Sequence, residues 1–134
     1  KPKTKKEETT WLKNVLKNIK KKQTIYLLAF DNKKLLANSS ATKRLSRLSH
    51  IGDFGISVVK EYREQGIGFK LADLVLKEAK KIGIQIAILE VFSNNPLAKH
   101  LYQKLGFVRY GTLSKSLVHR GRLIDLIQMS LRLN

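Results

Sequence analysis

The stretch Arg63-Glu64-Gln65-Gly66-Ile67-Gly68 decides the fold of this chain, because it joins an apolar strand-like run to an amphipathic helix-like run. Two glycines two positions apart let backbone N–H groups turn inward and approach a phosphate closely. The helix that follows adds the partial positive charge of its N-terminus at the same point. The hexapeptide indicates a cradle for a pyrophosphate, although such a turn more often only connects a strand to a helix.

Two better-known phosphate motifs are excluded. A P-loop needs Gly-Lys-Ser/Thr, which does not follow here, and the dinucleotide fingerprint needs a third glycine where Leu71 stands. The flanking sequence supports the interpretation of the hexapeptide as a phosphate-binding loop. Residues 54–59, before it, are a short apolar run typical of a buried strand. Apolar residues then recur at helical spacing as far as Gly83: Ile67, Leu71, Leu74, Val75 and Ala79.

The next part of the chain repeats the order of strand and helix. Residues 84–92 form an apolar run that carries one acid, Glu90. Asn95 can cap the following helix with Pro96 at its first position, and Gly106 can end it. The predicted buried stripe of this helix consists of three leucines: Leu97, Leu101 and Leu105.

The outer parts of the chain add strands and one more helix. Residues 24–30 and 34–38 predict a hairpin, residues 39–53 a strand with a long loop, and residues 108–117 and 123–133 two strands joined near Gly121.

Near the start, Thr9 or Thr10 can cap an amphipathic helix that runs to about Lys22. This helix is expected to pack on the sheet, and contact with a membrane or nucleic acid is the alternative.

Three motifs stand out between residues 58 and 107: Val58-x-Lys60-Glu61-Tyr62-Arg63-x-x-Gly66-x-Gly68, Leu89-Glu90-Val91 and Asn95-x-x-Ala98-x-x-Leu101-Tyr102-x-Lys104-Leu105-Gly106-Phe107. In these motifs the chain resembles the acyl-CoA-dependent N-acetyltransferase superfamily (GNAT). The resemblance covers about residues 50–131 and ends with Asp125 and Met129-Ser130-Leu131 in the expected last strand. The resemblance implies an α/β fold whose central mixed, mostly antiparallel sheet is flanked by helices. The first strand and helix usual in the family are expected to be missing.

The resemblance also implies a binding site for acetyl-CoA. Val58 and Val59 would offer backbone groups to the pantetheine arm and the thioester. Asn95 would bond to the pantetheine arm, and Tyr102 would lie near the sulfur as the acid for the departing thiolate. The pyrophosphate would bind mainly to main-chain N–H groups of the loop Arg63, Glu64, Gln65, Gly66, Ile67, Gly68 and Phe69. Without the surrounding motif, Tyr102 is interpreted as a helix residue that packs its ring on the core.

Glu90 is the candidate base. An unpaired buried carboxylate is costly, so Glu90 must face water at the rim of the sheet or lie in a polar cleft. Members of the family that act on protein N-termini often place a base at the matching position, twelve residues before the tyrosine, as here. That Glu90 only orients backbone or water is equally open. His50, His100 and His119 stand in no paired arrangement and are interpreted as surface or structural histidines.

The composition narrows the chemistry. The chain has no cysteine, which excludes a thiol nucleophile, a disulfide framework and a cysteine-based zinc site, and we expect no metal. Direct transfer of the acetyl group to a primary amine in a ternary complex is the economical mechanism. The segment Leu117-Val118-His119-Arg120 departs from the paired tyrosines usual in enzymes for N-terminal amines. The acceptor is therefore left open between a small amine, a polyamine and a protein amine.

The charge of the chain suggests a second class of function. Its formal net charge is +17, and nine lysines stand against two glutamates in the first 22 residues. A basic protein that contacts nucleic acid or a ribonucleoprotein, while retaining the acetyltransferase fold, is the alternative. We expect one domain over residues 1–134, with a basic flexible tail at 1–8, in a soluble cytoplasmic protein that has no membrane span. The sequence leaves a homodimer open.

Overall fold

A computed structural model describes residues 22–134 of the chain. The predicted tail at residues 1–8 and the predicted N-terminal helix, up to residue 21, lie outside this range. The elements are β1 (Thr24–Asp31), β2 (Lys34–Lys43), β3 (Ile51–Val58), α1 (Ile67–Lys81), β4 (Ile86–Phe92), α2 (Pro96–Leu105), β5 (Val108–His119) and β6 (Arg122–Arg132). Short 3-10 turns occupy Ser46–Leu48 and Lys60–Tyr62.

The strands form one six-stranded sheet in the order β1-β2-β3-β4-β6-β5. Every neighbouring pair is antiparallel except β3 and β4, which run parallel. The prediction of a mixed, mostly antiparallel sheet is therefore confirmed. The parallel pairing is short: it joins Ile51–Asp53 to Ile86–Ile88, and beyond it β3 pairs only with β2 and β4 only with β6.

The β1–β2 hairpin is confirmed, but β2 is longer than predicted. It continues past Asn38 to Lys43 and pairs with β3 on its other side. This continuation could not be predicted from the sequence, because the polar run Asn38-Ser39-Ser40 lacks the alternation of apolar residues that indicates a strand. Ser39 is buried at 1 % exposure, and its hydroxyl donates to the Gly55 carbonyl at 2.8 Å, which satisfies the hydroxyl without breaking the strand.

Helix α1 packs on one face of the sheet, which we call the helix face. It buries Leu71, Ala72, Val75, Leu76 and Ala79, and the sheet meets them with Ala41, Phe54, Ala87, Leu89 and Val91. Leu74 shares the helical spacing of these residues but is 53 % exposed, because it lies at the edge of the buried stripe. Burial of each large aliphatic side chain stabilises the fold by about 1.5–3 kcal/mol.

The termini of α2 agree with the sequence, but its buried stripe does not. The Asn95 side chain caps the helix, Pro96 is its first residue, and Gly106 ends it in a left-handed conformation with φ 103°. Leu97, however, is 54 % exposed, Leu101 and Leu105 are half-buried, and the one buried residue of α2 is Tyr102. The Tyr102 ring packs against two phenylalanines, Phe54 and Phe107, and this contact sets the rotation of the helix.

The opposite face of the sheet, which we call the second face, carries Asp53, Ile88, Glu90 and Gln128. Side chains alternate along a strand, so Ala87, Leu89 and Val91 on the helix face place Ile88 and Glu90 on the second face.

Within residues 22–134, no helix is long and apolar enough to cross a membrane.

Candidate active site

A cleft of about 450 Å³ lies at the carboxyl end of β3, beyond the residues that pair with β4. The end of β3, the loop before α1 and the exposed side of α2 form its walls. The residues that line it are Ile56, Ser57, Val58, Tyr62, Arg63, Glu64, Gly66, Gly68, Phe69, Asn95, Leu97, Ala98, His100, Leu101, Tyr102 and Lys104. Eight of the eleven residues predicted to bind the cofactor are among them, while Val59, Gln65 and Ile67 are not.

The loop before α1 presents unpaired backbone N–H groups to this cleft. Gly66 is the N-cap of α1 with φ 81°, it makes no side-chain cap hydrogen bond, and the first turn contains no acid. The first hydrogen bond of the helix runs from Lys70 N to the Gly66 carbonyl at 3.1 Å, so the preceding amides in the turn have no partner in the helix. These amides and the helix dipole favour an anion at this end of the cleft.

Gly68 is needed for close packing between α1 and β3. A Cβ atom at this position would stand 3.1 Å from Val58 Cγ2, tighter than ordinary van der Waals contact. The absence of a side chain keeps the first turn of α1 against the end of β3 and leaves the amides accessible.

Two side chains of the loop hold its shape by bonding to backbone. Arg63 Nε donates to the Val58 carbonyl at 3.1 Å, and Gln65 Nε2 donates to the Glu61 carbonyl at 3.0 Å. The N–H group of Val59 donates to the Leu36 carbonyl of β2 at 2.8 Å, so this amide is already used within the sheet. What the loop offers to a ligand is therefore mainly its main-chain amides.

Asn95 serves both the helix and the cleft. Its Oδ1 atom accepts from the Ala98 N–H group at 3.2 Å and so caps α2. The amide of an asparagine also carries two N–H donors. Because Asn95 lines the cleft, these donors are available to a ligand there.

Tyr102 combines a buried ring with contact to the cleft. The residue is only 9 % exposed, and its ring centroid lies 6.5 Å from that of Phe54 and 6.0 Å from that of Phe107. Burial raises the pKa of the Tyr102 phenol above its ordinary value. The group therefore keeps its proton throughout the neutral range and can act as an acid.

Glu90 lies elsewhere. It is exposed on the second face, opposite Gln128 of β6, and it does not line the cleft. The sequence predicted that Glu90 either faces water at the rim of the sheet or lies in a polar cleft, and the structure shows that it faces water. Tyr102 packs on the helix face, so the sheet separates the two predicted catalytic side chains. Contact between them would have to pass through the gap between β3 and β4.

The sequence did not indicate the charged group on the second face. Arg44 and Asp53 form a salt bridge at 3.2 Å, and the bond to Asp53 raises the pKa of the Arg44 guanidinium, with smaller contributions from Tyr110 and Glu90. Both partners are largely exposed, so this pair contributes little to stability. The pairing joins β3 to the residue after β2, and only the register of these two strands could have revealed it.

The histidines fall in three different places. His100 is exposed on α2 and lines the cleft, His119 is exposed at the end of β5, and His50 is half-buried. The backbone carbonyl of His50 accepts from Gln85 and Ile86, which is a structural role. Over residues 22–134, no cluster of three or more potential metal ligands is present.

Comparison with known proteins places these features in a family. The model of the acetyltransferase (GNAT) family matches residues 1–107. The chain is similar to N-alpha-acetyltransferase 30 of Schizosaccharomyces pombe, with 43% identity over 58 residues, which are 43% of this chain and 39% of that relative. The chain thus spans well under half of that curated relative.

Two solved structures share the fold. An acetyltransferase of the GNAT family from Streptococcus pneumoniae is 32% identical, with a TM-score of 0.83 over 96% of this chain and 77% of that one. The protein yncA from Salmonella typhimurium, solved with its cofactor acetyl-CoA, has a TM-score of 0.83 at 20% identity, over 94% of this chain and 73% of that one. The first likeness extends to sequence, whereas the second is a likeness of fold alone.

Proposed function

The chain belongs to the GNAT acetyltransferase family, and from this premise we propose that it transfers an acetyl group from acetyl-CoA to a primary amine. The observation that carries the proposal is the unpaired set of amides at the start of α1, in the same cleft as the protonated phenol of Tyr102. The first feature suits a diphosphate, and the second suits a leaving thiolate. The Salmonella neighbour, which was solved with acetyl-CoA, supports this choice of cofactor.

The residues of the chain have separate tasks in the proposed site. The amides of Ile67, Gly68 and Phe69 would hold the diphosphate, and the Asn95 amide would bond to the pantetheine arm. Acetyl-CoA supplies the acetyl group as a thioester. As the amine nitrogen bonds to the acetyl carbon and the carbon–sulfur bond breaks, the Tyr102 hydroxyl gives its proton to the sulfur. The proton that the nitrogen loses passes to water or to a base. A proton from solvent then re-forms the phenol of Tyr102.

The need for a base depends on the acceptor. At pH 7, removing a proton costs about 4.6 kcal/mol for a lysine side chain but only about 1.4 kcal/mol for an α-amino group. Glu90 is exposed and lies outside the cleft, so it would act through a water on the second face. Glu90 therefore matters most if the acceptor is a lysine side chain or a polyamine. A small amine and a protein amine remain alternatives for the acceptor.

The positive charge of the chain is consistent with this function. CoA is a polyanion, so a net charge of +17 would favour its approach to the protein. Binding of nucleic acid, the alternative function, would use the same charge but not the cleft. The single domain over residues 1–134, the cytoplasmic location and a homodimer stay predictions.

The proposal is tested with the purified chain and a panel of amines. Release of CoA thiol from acetyl-CoA is followed for α-amino acids, peptides with free N-termini, lysine side chains and polyamines, and CoA binding is measured by calorimetry. We expect CoA binding in the micromolar range typical of enzyme substrates and thiol release with at least one amine class.

Gly66→Asp is the matched control, because it places a carboxylate at the anion site in a left-handed conformation. It should abolish CoA binding. Wild-type protein that binds no CoA, or Gly66→Asp protein that binds it normally, would contradict the proposal. Nucleic-acid binding that falls steeply with salt and survives Gly66→Asp would instead favour the alternative.

A further inference from the structure

Strand β5 carries an irregularity that lies across β6 from the end of β4. In the β5–β6 register Leu113 lies opposite Leu126, but Leu117 lies opposite Ile124, so β5 contains extra residues between these two pairs. Lys115, within the bulge, has φ 56°, a left-handed conformation that is uncommon for a residue with a side chain. Bulges of this kind change the direction of a strand and re-aim its side chains.

The carboxylate of Asp125 holds this bulge. Its Oδ1 atom accepts from the Lys115 N–H group at 3.0 Å and so satisfies an amide that has left the regular strand ladder. A carboxylate that accepts from a backbone amide makes a stronger hydrogen bond than a neutral acceptor does. A specific side chain, and not the strand pairing alone, therefore stabilises the conformation of the bulge.

The backbone of Asp125 is joined to the cofactor side of the site. Ser93 N donates to the Asp125 carbonyl at 2.9 Å, and the Asp125 N–H group donates to Ser93 Oγ at 3.2 Å. Ser93 follows β4 directly and stands two residues before Asn95, which lines the cleft. Asp125 thus links the β5 bulge to the turn that carries Asn95, with its side chain serving the bulge and its main chain serving the turn.

The bulge borders the path that an acceptor would take. The loop before α1 and helix α2 form walls of the cleft, and in the proposed reaction acetyl-CoA would fill it from the helix face. The amine would then reach the thioester from the second face. Next to the bulge on that face, the row Leu113, Leu126 and Phe92 crosses β5, β6 and β4, and Glu90 opposite Gln128 forms the next row. The conformation of the bulge would therefore position the side chains beside an acceptor that takes this path.

We propose that Asp125 is a positioning residue for the acceptor amine: its carboxylate fixes the β5 bulge, which forms one wall of the acceptor path. The inference rests on the proposed acetyl transfer. It assigns to Asp125 an effect on acceptor binding that is separable from cofactor binding, because the hydrogen bonds to Ser93 use main-chain atoms of Asp125 that a substitution leaves in place.

The test compares Asp125→Ala with Asp125→Asn in steady-state assays that vary acceptor and acetyl-CoA separately. Asparagine retains an Oδ1 acceptor for the Lys115 amide, whereas alanine does not. We expect the KM for the acceptor to rise about tenfold or more in Asp125→Ala, as loss of a charge-assisted hydrogen bond would give. The KM for acetyl-CoA should stay within about twofold, and Asp125→Asn should recover most of the acceptor affinity. Asp73→Ala, which removes a surface carboxylate on α1, controls for the change of charge.

Hydrogen exchange separates failure of this inference from failure of the proposed function. The Lys115 amide should exchange faster in Asp125→Ala than in the wild type and in Asp125→Asn, whether or not any amine is acetylated. An unchanged acceptor KM in Asp125→Ala, a parallel rise of both KM values, or equal loss in the alanine and asparagine variants would overturn the inference. If the wild type acetylates no amine, the proposed function fails, and unchanged exchange at Lys115 would refute the bulge contact independently.

Discussion

Replacement of Tyr102 by phenylalanine isolates the proposed acid from the packing of its ring. The ring lies in edge contacts with Phe54 and Phe107, and phenylalanine keeps the same ring in the same place. The substitution removes only the hydroxyl. Among residues 22–134 this hydroxyl has no hydrogen-bond partner, so its removal leaves no group unpaired. Tyr102→Phe should therefore fold like the wild type and differ in the chemical step.

The expected magnitudes for stability and turnover are far apart. Removal of a partly buried hydroxyl that has no hydrogen-bond partner in residues 22–134 should change the free energy of unfolding by less than about 1 kcal/mol, whereas Tyr102→Ala would leave a cavity that costs about 3–5 kcal/mol. Loss of a general acid lowers the rate about 10²–10⁴-fold. We expect kcat to fall within that range in Tyr102→Phe, with CoA affinity changed less than about threefold because the diphosphate amides are untouched.

Three measurements on the same preparation test this prediction. Thiol release gives kcat, calorimetry gives the CoA affinity, and thermal unfolding shows whether the ring packing survives. Wild-type turnover in Tyr102→Phe would remove the phenol from the mechanism. A large loss of CoA affinity would show instead that the hydroxyl binds the cofactor, and a large loss of stability would show that it has a structural partner.

Three further predictions follow from the described geometry. Gly68→Ala should weaken CoA binding about tenfold, because its Cβ would press on Val58 Cγ2 at 3.1 Å and shift the first turn of α1. The free energy of unfolding should change by less than about 1 kcal/mol, because the helix propensity of alanine offsets this contact. Calorimetry and thermal unfolding measure the two effects, and normal affinity would contradict the close approach. Glu90→Gln should lower kcat/KM at least about tenfold for lysine or polyamine acceptors and less than about threefold for α-amines; equal loss for both would mean that Glu90 is not the base. Because burial raises the pKa of Tyr102, the unfolded chain loses this proton first as pH rises. The contribution of Tyr102 to the free energy of unfolding is therefore fully present below about pH 10 and declines above it. Denaturant unfolding of the wild type should show a larger decline than Tyr102→Phe does, and identical pH profiles would refute this prediction.

The elements next to the site could be predicted from sequence because their signals are local. Asn95 and Pro96 start α2, Gly106 ends it, and the glycines of the loop start α1, each through the conformation or bonding of a few neighbouring residues. The cleft residues follow from these boundaries. The same reasoning explains why eight of the predicted cofactor residues line one cleft.

The rotation of α2 and the contact between Lys115 and Asp125 could not be predicted in this way. Helical spacing allowed a stripe through Leu97 and Leu105, but the ring of Tyr102 is larger and fits between Phe54 and Phe107, so tertiary packing decided the face. The bond from Lys115 to Asp125 depends on a register shift between two strands, which periodicity does not report.

The short parallel contact between β3 and β4 links this fold to its proposed chemistry. After Asp53 and Ile88 the two strands diverge, so the edges that face each other across the gap lack the ladder hydrogen bonds of a closed sheet. Buried backbone groups need partners, and the pantetheine arm carries amide groups that could pair with them. A ligand that completes the sheet would place its thioester in the gap, with Tyr102 on the helix face and Glu90 on the second face. The separation of the two side chains by the sheet would then suit their proposed tasks, because the proposed acid serves the cofactor and the proposed base serves an amine that arrives from the other side.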